Sequence, residues 1–130
     1  MELTEIWAEE LPSDCPPDDS IQPAAIVYYR LARSNPPKEA DFLSYRAKQP
    51  TKVLHFMDEC LARALSVWDN IEDCKKVSKL PAHKKKPILI MQLLLTPIDG
   101  LVKQSGNVKS HYSWWRTKEH MIEKISIVEI

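Results

Sequence analysis

Residues 87–95 read PILIMQLLL and hold the longest apolar run of this 130-residue chain, which only Gln92 interrupts. The run shows little alternation of apolar and polar side chains, which is typical of a strand buried on both faces of a sheet. It is also far shorter than the roughly 20 apolar residues that a membrane-spanning helix needs. We therefore expect a buried strand here and no membrane span.

Further strands are predicted on the C-terminal side of this run. Turns at residues 96–100 and 105–107 contain the two glycines of the chain, which supply the backbone freedom that turns need. The turns precede segments 101–104, 111–117 and 121–130, whose composition or alternating pattern favours strands. The C-terminal part of the chain is therefore expected to be rich in strands.

The N-terminal side of the run combines strands with short helices. Residues 24–32 (AAIVYYRLA) and 65–68 (LSVW) have the composition of strands. A helix at 71–79 is predicted by capping residues, acids in its first turn and an apolar stripe. A shorter helix at 39–45 follows a proline, whereas residues 51–63 fit either a helix or a long loop.

The order of these segments indicates the fold class. Strands that are segregated from a few helices argue for an α+β fold, with a small, mostly antiparallel sheet and two or three short helices. The length of the chain suits one domain. We expect a single α+β domain at residues 25–130.

Residues 1–24 are expected to form an acidic, proline-rich arm packed on that domain. The first 20 residues hold seven acids and no Lys or Arg, so the rest of the chain has 18 bases against 11 acids. This positive surplus suggests a polyanionic partner, or it simply keeps the domain soluble. The spacing of Leu3, Ile6, Trp7 and Leu11 favours a short helix, with Trp7 docked on the domain.

The cysteines and the acidic start predict a reducing, cytoplasmic environment. Cys15, Cys60 and Cys74 are odd in number and widely spaced, so neither a disulfide framework nor a zinc ribbon is expected. Acids occupy the region where a secretory signal would be basic and then apolar. The four histidines add no spacing typical of metal ligands, so no bound metal is expected.

Arg30 and Ser66 form the first candidate site. Arg30 lies on the first predicted strand, and Ser66 lies on the strand that precedes the helix at 71–79. A guanidinium in a cleft needs an anionic partner, and phosphate matches its paired N–H donors. The alternative is that Arg30 lies on the outer face of the strand and pairs with a surface acid.

Residues 111–116 (HYSWWR) form a second candidate, because two Trp, a Tyr, a His and an Arg lie within this short segment. Along a strand, the even-numbered residues share one face and the odd-numbered residues share the other. One aromatic set can enter the core while the other stacks on a base or a nicotinamide-type ring. The alternative is that both tryptophans are structural.

A cluster of basic residues around the end of the helix at 71–79 is the third candidate. Such a cluster can bind nucleic-acid phosphates without sequence specificity. A solvated helix end, or pairing with the acidic arm, would explain the cluster without a ligand. Its lysines are Lys75, Lys76, Lys79, Lys84, Lys85 and Lys86, with His83 among them.

Several short stretches together resemble a group of small proteins common in cyanobacteria. The resemblance covers nearly the whole chain and implies no particular activity. The stretches are residues 7–12 (WAEELP), 29–31 (YRL), 35–37 (NPP), 41–45 (DFLSY), 62–66 (ARALS) and 111–115 (HYSWW).

The chain also resembles the ADP-ribosyltransferase-like fold, which places an Arg on the first strand and a Ser on a strand leading directly into a helix. Arg30 and Ser66 match these positions, so the resemblance implies that they contact NAD. In that fold an acid stabilises positive charge developing at the ribose. Glu123 and Glu129 lie near the last strand but outside the usual setting of that acid, and His111 could replace it.

This resemblance implies a catalytic set of Arg30, Ser66 and His111, with NAD as the bound cofactor. The residues expected to bind the substrate are Tyr29, Tyr112, Trp114 and Arg116. The expected function is an NAD- or nucleotide-binding domain of this fold, either active or degenerate. One alternative is a nucleic-acid-binding, toxin–antitoxin or mobile-element accessory protein without enzymatic activity. Another is a domain whose acidic arm binds a protein partner.

Overall fold

The computed structural model describes residues 6–54, 58–80, 88–122 and 125–129. In these residues a six-stranded sheet, whose neighbouring strands are all antiparallel, packs with three short α-helices. The predicted small α+β fold is thereby confirmed. The elements are β1 (Ile26–Ala32), α1 (Tyr45–Lys48), α2 (Glu59–Ala62), β2 (Leu65–Trp68), α3 (Ile71–Ser78), β3 (Leu89–Leu95), β4 (Gly100–Gln104), β5 (His111–Arg116) and β6 (Ser126–Glu129).

The strands lie in the order β4–β5–β2–β1–β3–β6. The apolar run forms β3, which pairs with the whole length of β1. Met91 is buried on one face of β3 and Ile90 on the other, whereas Leu94 is 57% exposed. Burial on both faces was therefore a correct prediction for the first part of the strand and a wrong one at Leu94. Among the residues described, no helix has the length and apolar character needed to cross a membrane.

Helix α3 begins and ends close to its predicted bounds. The side chain of Asn70 accepts a 3.1 Å hydrogen bond from the backbone N–H of Asp73, which satisfies a donor of the first turn. The buried Cys74 packs against the sheet beside Trp68 and Ile90. Both the cap and the apolar stripe are local features, so the sequence could predict this helix.

The segment between β1 and β2 differs from the single helix predicted at residues 39–45. A 3-10 helix at Glu39–Phe42 comes first, and α1 begins only after Ser44, whose hydroxyl accepts a hydrogen bond from the backbone N–H of Ala47. The serine cap therefore starts a new helix where the prediction had one ending. In the ambiguous stretch at 51–63 the helical part is α2, and residues 55–57 lie outside the described part.

One face of the sheet carries the main core. Trp114 is fully buried there, and its indole N–H donates a 3.0 Å hydrogen bond to the backbone carbonyl of Asp99. The ring of Phe42 meets it edge-on, with 6.3 Å between the ring centroids. The other buried members are Tyr28, Ala32, Leu65, Val67, Met91, Leu93, Leu95 and Val102.

Two separate clusters cover the opposite face. In one, Cys74 of α3 packs with Trp68 and Ile90. In the other, Trp7 of the N-terminal arm packs on Trp115, together with partly buried residues of α2. Both tryptophans of the HYSWWR segment are thus buried, one on each face, and the reading of both as structural is correct.

Residues 6–24 of the N-terminal arm contact the domain, and the described part of the short helix predicted at residues 3–11 is not helical. Trp7 forms an isolated bridge with Thr117 and is buried. A single disulfide joins Cys15 to Cys60 of α2, a bond that the prediction of a reducing environment did not include. The fold brings the two Cα atoms to 5.6 Å, a separation that a disulfide spans, although the residues lie 45 positions apart.

The last strand is shorter than the predicted 121–130. The backbone N–H of Ile125 donates a 3.0 Å hydrogen bond to the carbonyl of Ile122, just before β6. Ile127 then pairs with Met91 of β3. The alternating pattern therefore predicted the strand but placed its start too early.

Candidate functional site

The candidate site lies where β1 and β2 separate. These two strands pair only at Tyr29 and Trp68, whereas β1 pairs with β3 along its full length. A continued ladder would place Leu31 opposite Ser66. Instead, the guanidinium of Arg30 reaches β2, and its NH1 donates a 2.7 Å hydrogen bond to the backbone carbonyl of Ser66.

Arg30 is a nearly buried cation held by backbone carbonyls. Its Nε donates a second hydrogen bond, of 3.1 Å, to the backbone carbonyl of Asp41, and the residue is 9% exposed. Burial lowers the pKa of Arg30 to about 10, and the charge of Asp41 opposes this effect. Arg30 is therefore still positively charged at neutral pH, and the described bonds use only part of its N–H donors.

The carboxylate of Asp41 holds the loop that follows β1. Its Oδ1 accepts a 2.8 Å hydrogen bond from the backbone N–H of Arg33, and its Oδ2 accepts one of 2.9 Å from that of Lys38. Because these bonds bind the carboxylate to the loop, Asp41 positions Arg33 at the site. Asp41 reaches Arg30 through its own backbone carbonyl.

A cavity of about 670 Å³ opens beside Arg30. Its lining includes residues of β1, β2, α2 and α3 and of the segment at residues 40–48. Its volume is in the range of pockets that hold small organic ligands. The lining residues are Arg30, Leu31, Arg33, Ala40, Asp41, Leu43, Ser44, Tyr45, Lys48, Leu61, Ala64, Leu65, Ser66, Trp68, Val77 and Ile88.

The charged groups of this lining are mostly positive. Arg30, Arg33 and Lys48 face one carboxylate, that of Asp41. The pKa of Lys48 is lowered, and loss of hydration is the main cause. Repulsion from Arg30 and Arg33 adds to the shift, and the charge of Asp41 opposes it. Because Arg30, Arg33 and Lys48 line the same cavity, an anion between them would be stabilised.

The remaining lining is mostly apolar. Trp68 belongs to the cluster beneath α3, and Leu31 and Val77 pack against that cluster. On the other side, Leu61 and Ala64 come from α2 and the residues that follow it. The cavity thus combines cationic side chains with an apolar wall, which suits a ligand that has both an anionic and a flat or apolar part.

Ser66 also makes a side-chain contact with His111 of the neighbouring strand. The Ser66 Oγ lies 3.0 Å from the Nε2 of His111. The Nδ1 of the same ring lies 2.9 Å from the backbone carbonyl oxygen of Ser105. The three residues predicted to be catalytic, Arg30, Ser66 and His111, are therefore linked through Ser66, although His111 does not line the cavity.

The four residues predicted to bind the substrate lie elsewhere. Tyr29, Tyr112, Trp114 and Arg116 are absent from the lining of this cavity. Tyr112 packs edge-on against Tyr28, with 5.5 Å between the ring centroids, and Trp114 is fully buried. Trp114 therefore offers no surface on which a base could stack.

Arg116 is held by contacts on the main-core face. It forms two hydrogen bonds of 3.1 Å with the carboxylate of Glu39, and its Nε donates a 3.0 Å bond to the Nδ1 of His120. Its guanidinium lies 4.6 Å from the ring centroid of Phe42. These contacts give Arg116 a structural role in joining β5 to the 3-10 helix before α1.

The lysine cluster is only partly within the described residues. Lys75 and Lys76 of α3 form ion pairs of 3.5 Å and 3.7 Å with Glu72 and Asp73, one turn earlier in the same helix. Lys79 follows the helix as its C-terminal cap. His83, Lys84, Lys85 and Lys86 lie outside the described residues, as do Glu123 and the side chain of Glu129.

Several residues of the cavity were not predicted from the sequence. Arg33, Lys48 and Trp68 line it together with Arg30, yet they come from a loop, a short helix and a strand. The sequence offers no spacing that relates them, because the contacts depend on the separation of β1 and β2. Arg33, three residues after Arg30, and Trp68, two residues after Ser66, are near enough to the first candidate in the sequence to be predicted with it.

Comparison with known proteins found no match to this chain among family models, curated proteins or solved structures.

Proposed function

We propose that the cavity binds a nucleotide-type ligand, an organic anion with a phosphate group and a flat ring. The observation that carries this proposal is Arg30, a nearly buried cation whose described hydrogen bonds go to two backbone carbonyls rather than to a carboxylate. The charges of Asp41 and Glu9 favour the charged form of Arg30, but among the described hydrogen bonds neither carboxylate binds its guanidinium, so the cost of burying the charge is only partly offset. A phosphate in the cavity would add a hydrogen-bonded counter-ion.

The positions of the other cations support this ligand. Arg33 and Lys48 line the same cavity, so two further positive charges can neutralise the negative charges of a phosphate or a pyrophosphate. Arginine binds phosphate oxygens through two parallel N–H donors, and lysine acts as a point charge. The lowered pKa of Lys48 would rise again when an anion enters.

The apolar wall suits the other end of the ligand. Trp68, Leu31 and Val77 line the cavity on the α3 side. A purine or nicotinamide-type ring can pack on such a wall without leaving polar groups of the protein unpaired. NAD is the nucleotide that the ADP-ribosyltransferase-like order of Arg30 and Ser66 favours. Transfer of ADP-ribose would need an acid, and Glu123 lies outside the described residues.

Titration calorimetry with NAD, ADP, AMP and adenosine tests the proposal. We expect NAD and ADP to bind and adenosine, which lacks phosphate, to bind at least about tenfold more weakly, since one lost charged contact costs about 1.4 kcal/mol or more. Arg33→Ala and Lys48→Ala should each weaken the binding of ADP. Lys109→Ala, an exposed lysine outside the cavity lining, is the matched control and should bind ADP like the unchanged protein.

Two outcomes would contradict the proposal. One is the absence of heat and of any thermal stabilisation at millimolar NAD and ADP, because a ligand that binds only the folded state must raise its stability. The other is binding that Arg33→Ala and Lys48→Ala leave unchanged. The α3 lysines give the nucleic-acid alternative no comparable support, since Lys75 and Lys76 are paired within their own helix.

A further inference from the structure

We propose that Ser66 is a nucleophile activated by His111, and that it cleaves esters or thioesters which enter the cavity. The preference for substrates with an anionic group rests on the ligand proposed above, whereas the nucleophile itself does not. The proposal rests on two contacts of the His111 imidazole. Its Nε2 lies near Ser66 Oγ, and its Nδ1 lies near the backbone carbonyl oxygen of Ser105.

The carbonyl of Ser105 determines which nitrogen of His111 carries the proton. A carbonyl oxygen can only accept a hydrogen bond, so its 2.9 Å contact favours the tautomer in which Nδ1 carries the proton, and the Ser105 hydroxyl, 3.1 Å from the same nitrogen, can accept from it as well. In the neutral ring, Nε2 is then the acceptor, and the Ser66 hydroxyl at 3.0 Å donates to it. This is the tautomer in which a histidine can remove the proton of a serine nucleophile.

The surroundings hold both side chains in place. Ser66 pairs with Ser113 in the β2–β5 ladder, and its backbone carbonyl is bound by Arg30. The His111 ring lies against Trp68, with 5.0 Å between the ring centroids. Strand pairing and ring packing thus fix the serine and the histidine in advance, which lowers the entropic cost of the reaction.

The position of Ser66 separates this arrangement from an ordinary cross-strand hydrogen bond. Ser66 is only partly buried and lines the cavity, so a ligand there can meet its side chain. The positive charge of Arg30 lies next to Ser66, because its guanidinium donates a hydrogen bond to the Ser66 backbone carbonyl. Negative charge that develops on a reacting carbonyl beside Ser66 would be stabilised by that cation.

The reaction has two stages, acylation of Ser66 and hydrolysis of the acyl-serine. Ser66 Oγ forms a bond to the acyl carbon while its proton moves to Nε2 of His111. The bond to the leaving alcohol or thiol then breaks, and that group takes the proton from Nε2. Water adds to the acyl-serine in the same way, with its proton passing through His111, and releases the acid while Ser66 regains its proton.

A fluorophosphonate probe tests the nucleophile without any assumption about the natural substrate. Intact-mass and peptide spectrometry should show one adduct, located at Ser66, in the folded protein. Ser66→Ala should abolish it, and His111→Gln, which keeps a polar side chain but no comparable base, should slow labelling by about 10²-fold or more. Ser13→Ala, an exposed serine of the arm, should label like the unchanged protein.

The circular dichroism spectrum and the unfolding midpoint of each variant identify any loss of labelling that comes from misfolding. If Ser66→Ala is misfolded, the labelling rate of a folded His111→Gln decides the question. No adduct at Ser66, or equal labelling rates of the unchanged protein and His111→Gln, would overturn the proposal.

The anionic preference has its own comparison. Nitrophenyl esters of acetate and of succinate differ by one carboxylate, and we expect the succinate ester to acylate Ser66 faster. Arg33→Ala should remove that difference, whereas Ser13→Ala, outside the cavity lining, should keep both the difference and the fluorophosphonate adduct. Equal rates for the two esters with an intact adduct would contradict the anion site and uphold the nucleophile.

Discussion

The guanidinium of Arg30 donates a 2.7 Å hydrogen bond to the backbone carbonyl of Ser66, although the two residues lie on strands that do not pair at this point. The side chain thus satisfies a carbonyl that a continued ladder would have bound. Both residues also line the candidate cavity. Arg30 therefore both satisfies a backbone carbonyl of β2 and places a positive charge in the candidate site.

Replacing Arg30 by methionine should lower the free energy of unfolding by about 1–3 kcal/mol. The carbonyls of Ser66 and Asp41 lose a charged donor, and relief of the buried charge offsets only part of that loss. Arg33→Met, at an exposed position, should change the stability by no more than about 0.5 kcal/mol. Urea denaturation measures both variants, and equal stabilities would mean that the two hydrogen bonds contribute nothing.

Gly100→Ala should destabilise the protein far more than Gly106→Ala. Gly100 has φ of 136°, and a Cβ there would lie 2.0 Å from the backbone oxygen of Trp115. Gly106 also has a positive φ, 74°, but its Cβ would meet only His111 Nδ1 at 3.6 Å. Left-handed strain costs about 1–3 kcal/mol in each case, and the clash adds to it at Gly100 alone. Thermal unfolding of the two variants makes the comparison, and similar midpoints would contradict it.

Acid should weaken the link between α1 and α2. The carboxylate of Glu59 accepts hydrogen bonds of 2.7 Å and 2.8 Å from Arg46 and one of 3.0 Å from Arg63. The bonds from Arg46 lower the pKa of Glu59 to about 2; burial opposes the shift, and Arg63 adds to it. The unfolded chain, with a glutamate pKa near about 4.3, binds the proton first, so this stabilisation is lost as the pH falls from about 5 to about 2.

Glu59→Gln isolates that contribution. At neutral pH the variant should be less stable by about 1 kcal/mol, a modest value because the carboxylate is 37% exposed. The difference from the unchanged protein should shrink as the pH falls. Chemical denaturation at several pH values measures it, and a difference that stays constant down to pH of about 2 would rule out the lowered pKa.

The disulfide should make the protein sensitive to reductants. Protein purified without reductant should show no thiol that reacts quickly with iodoacetamide, because Cys15 and Cys60 are joined and Cys74 is fully buried. Burial also raises the pKa of the Cys74 thiol to about 12, which keeps it unreactive. Reduction should expose two reactive thiols and lower the free energy of unfolding by about 2–4 kcal/mol.

A matched pair of variants separates the disulfide from a general effect of the reductant. The variant that carries both Cys15→Ser and Cys60→Ser should be insensitive to reductant and about as stable as the reduced protein. If the oxidised protein instead shows two fast thiols, Cys15 and Cys60 are not joined.

Local sequence features predicted most of the elements. The β-branched and aromatic composition of β1, β2 and β5 and the capped, amphipathic α3 act within a few residues, so the pattern alone predicts them. The break between the 3-10 helix and α1 was missed, because the Ser44 cap acts there through a single hydrogen bond. Propensity averaged over a window does not detect such bonds.

The candidate site was only half predictable. Arg30, Ser66 and His111 were chosen for their chemistry and from a resemblance, and the structure links them through Ser66. The aromatic residues of β5 were expected to bind the substrate, but they do not line this cavity, because a strand alternates between two faces and here both faces are covered. Arg33 and Lys48 were not chosen at all.

The sequence by itself determined the class of the fold, the positions of the main strands and the amphipathic helix α3. These features depend on the spacing of apolar side chains and on capping residues, which lie close together in the chain. Only the tertiary structure decided where β1 and β2 separate, that Cys15 meets Cys60, and that three cations line one cavity. These contacts join residues far apart in the chain, and their free energy depends on the burial and charge of both partners at once, which no local pattern records.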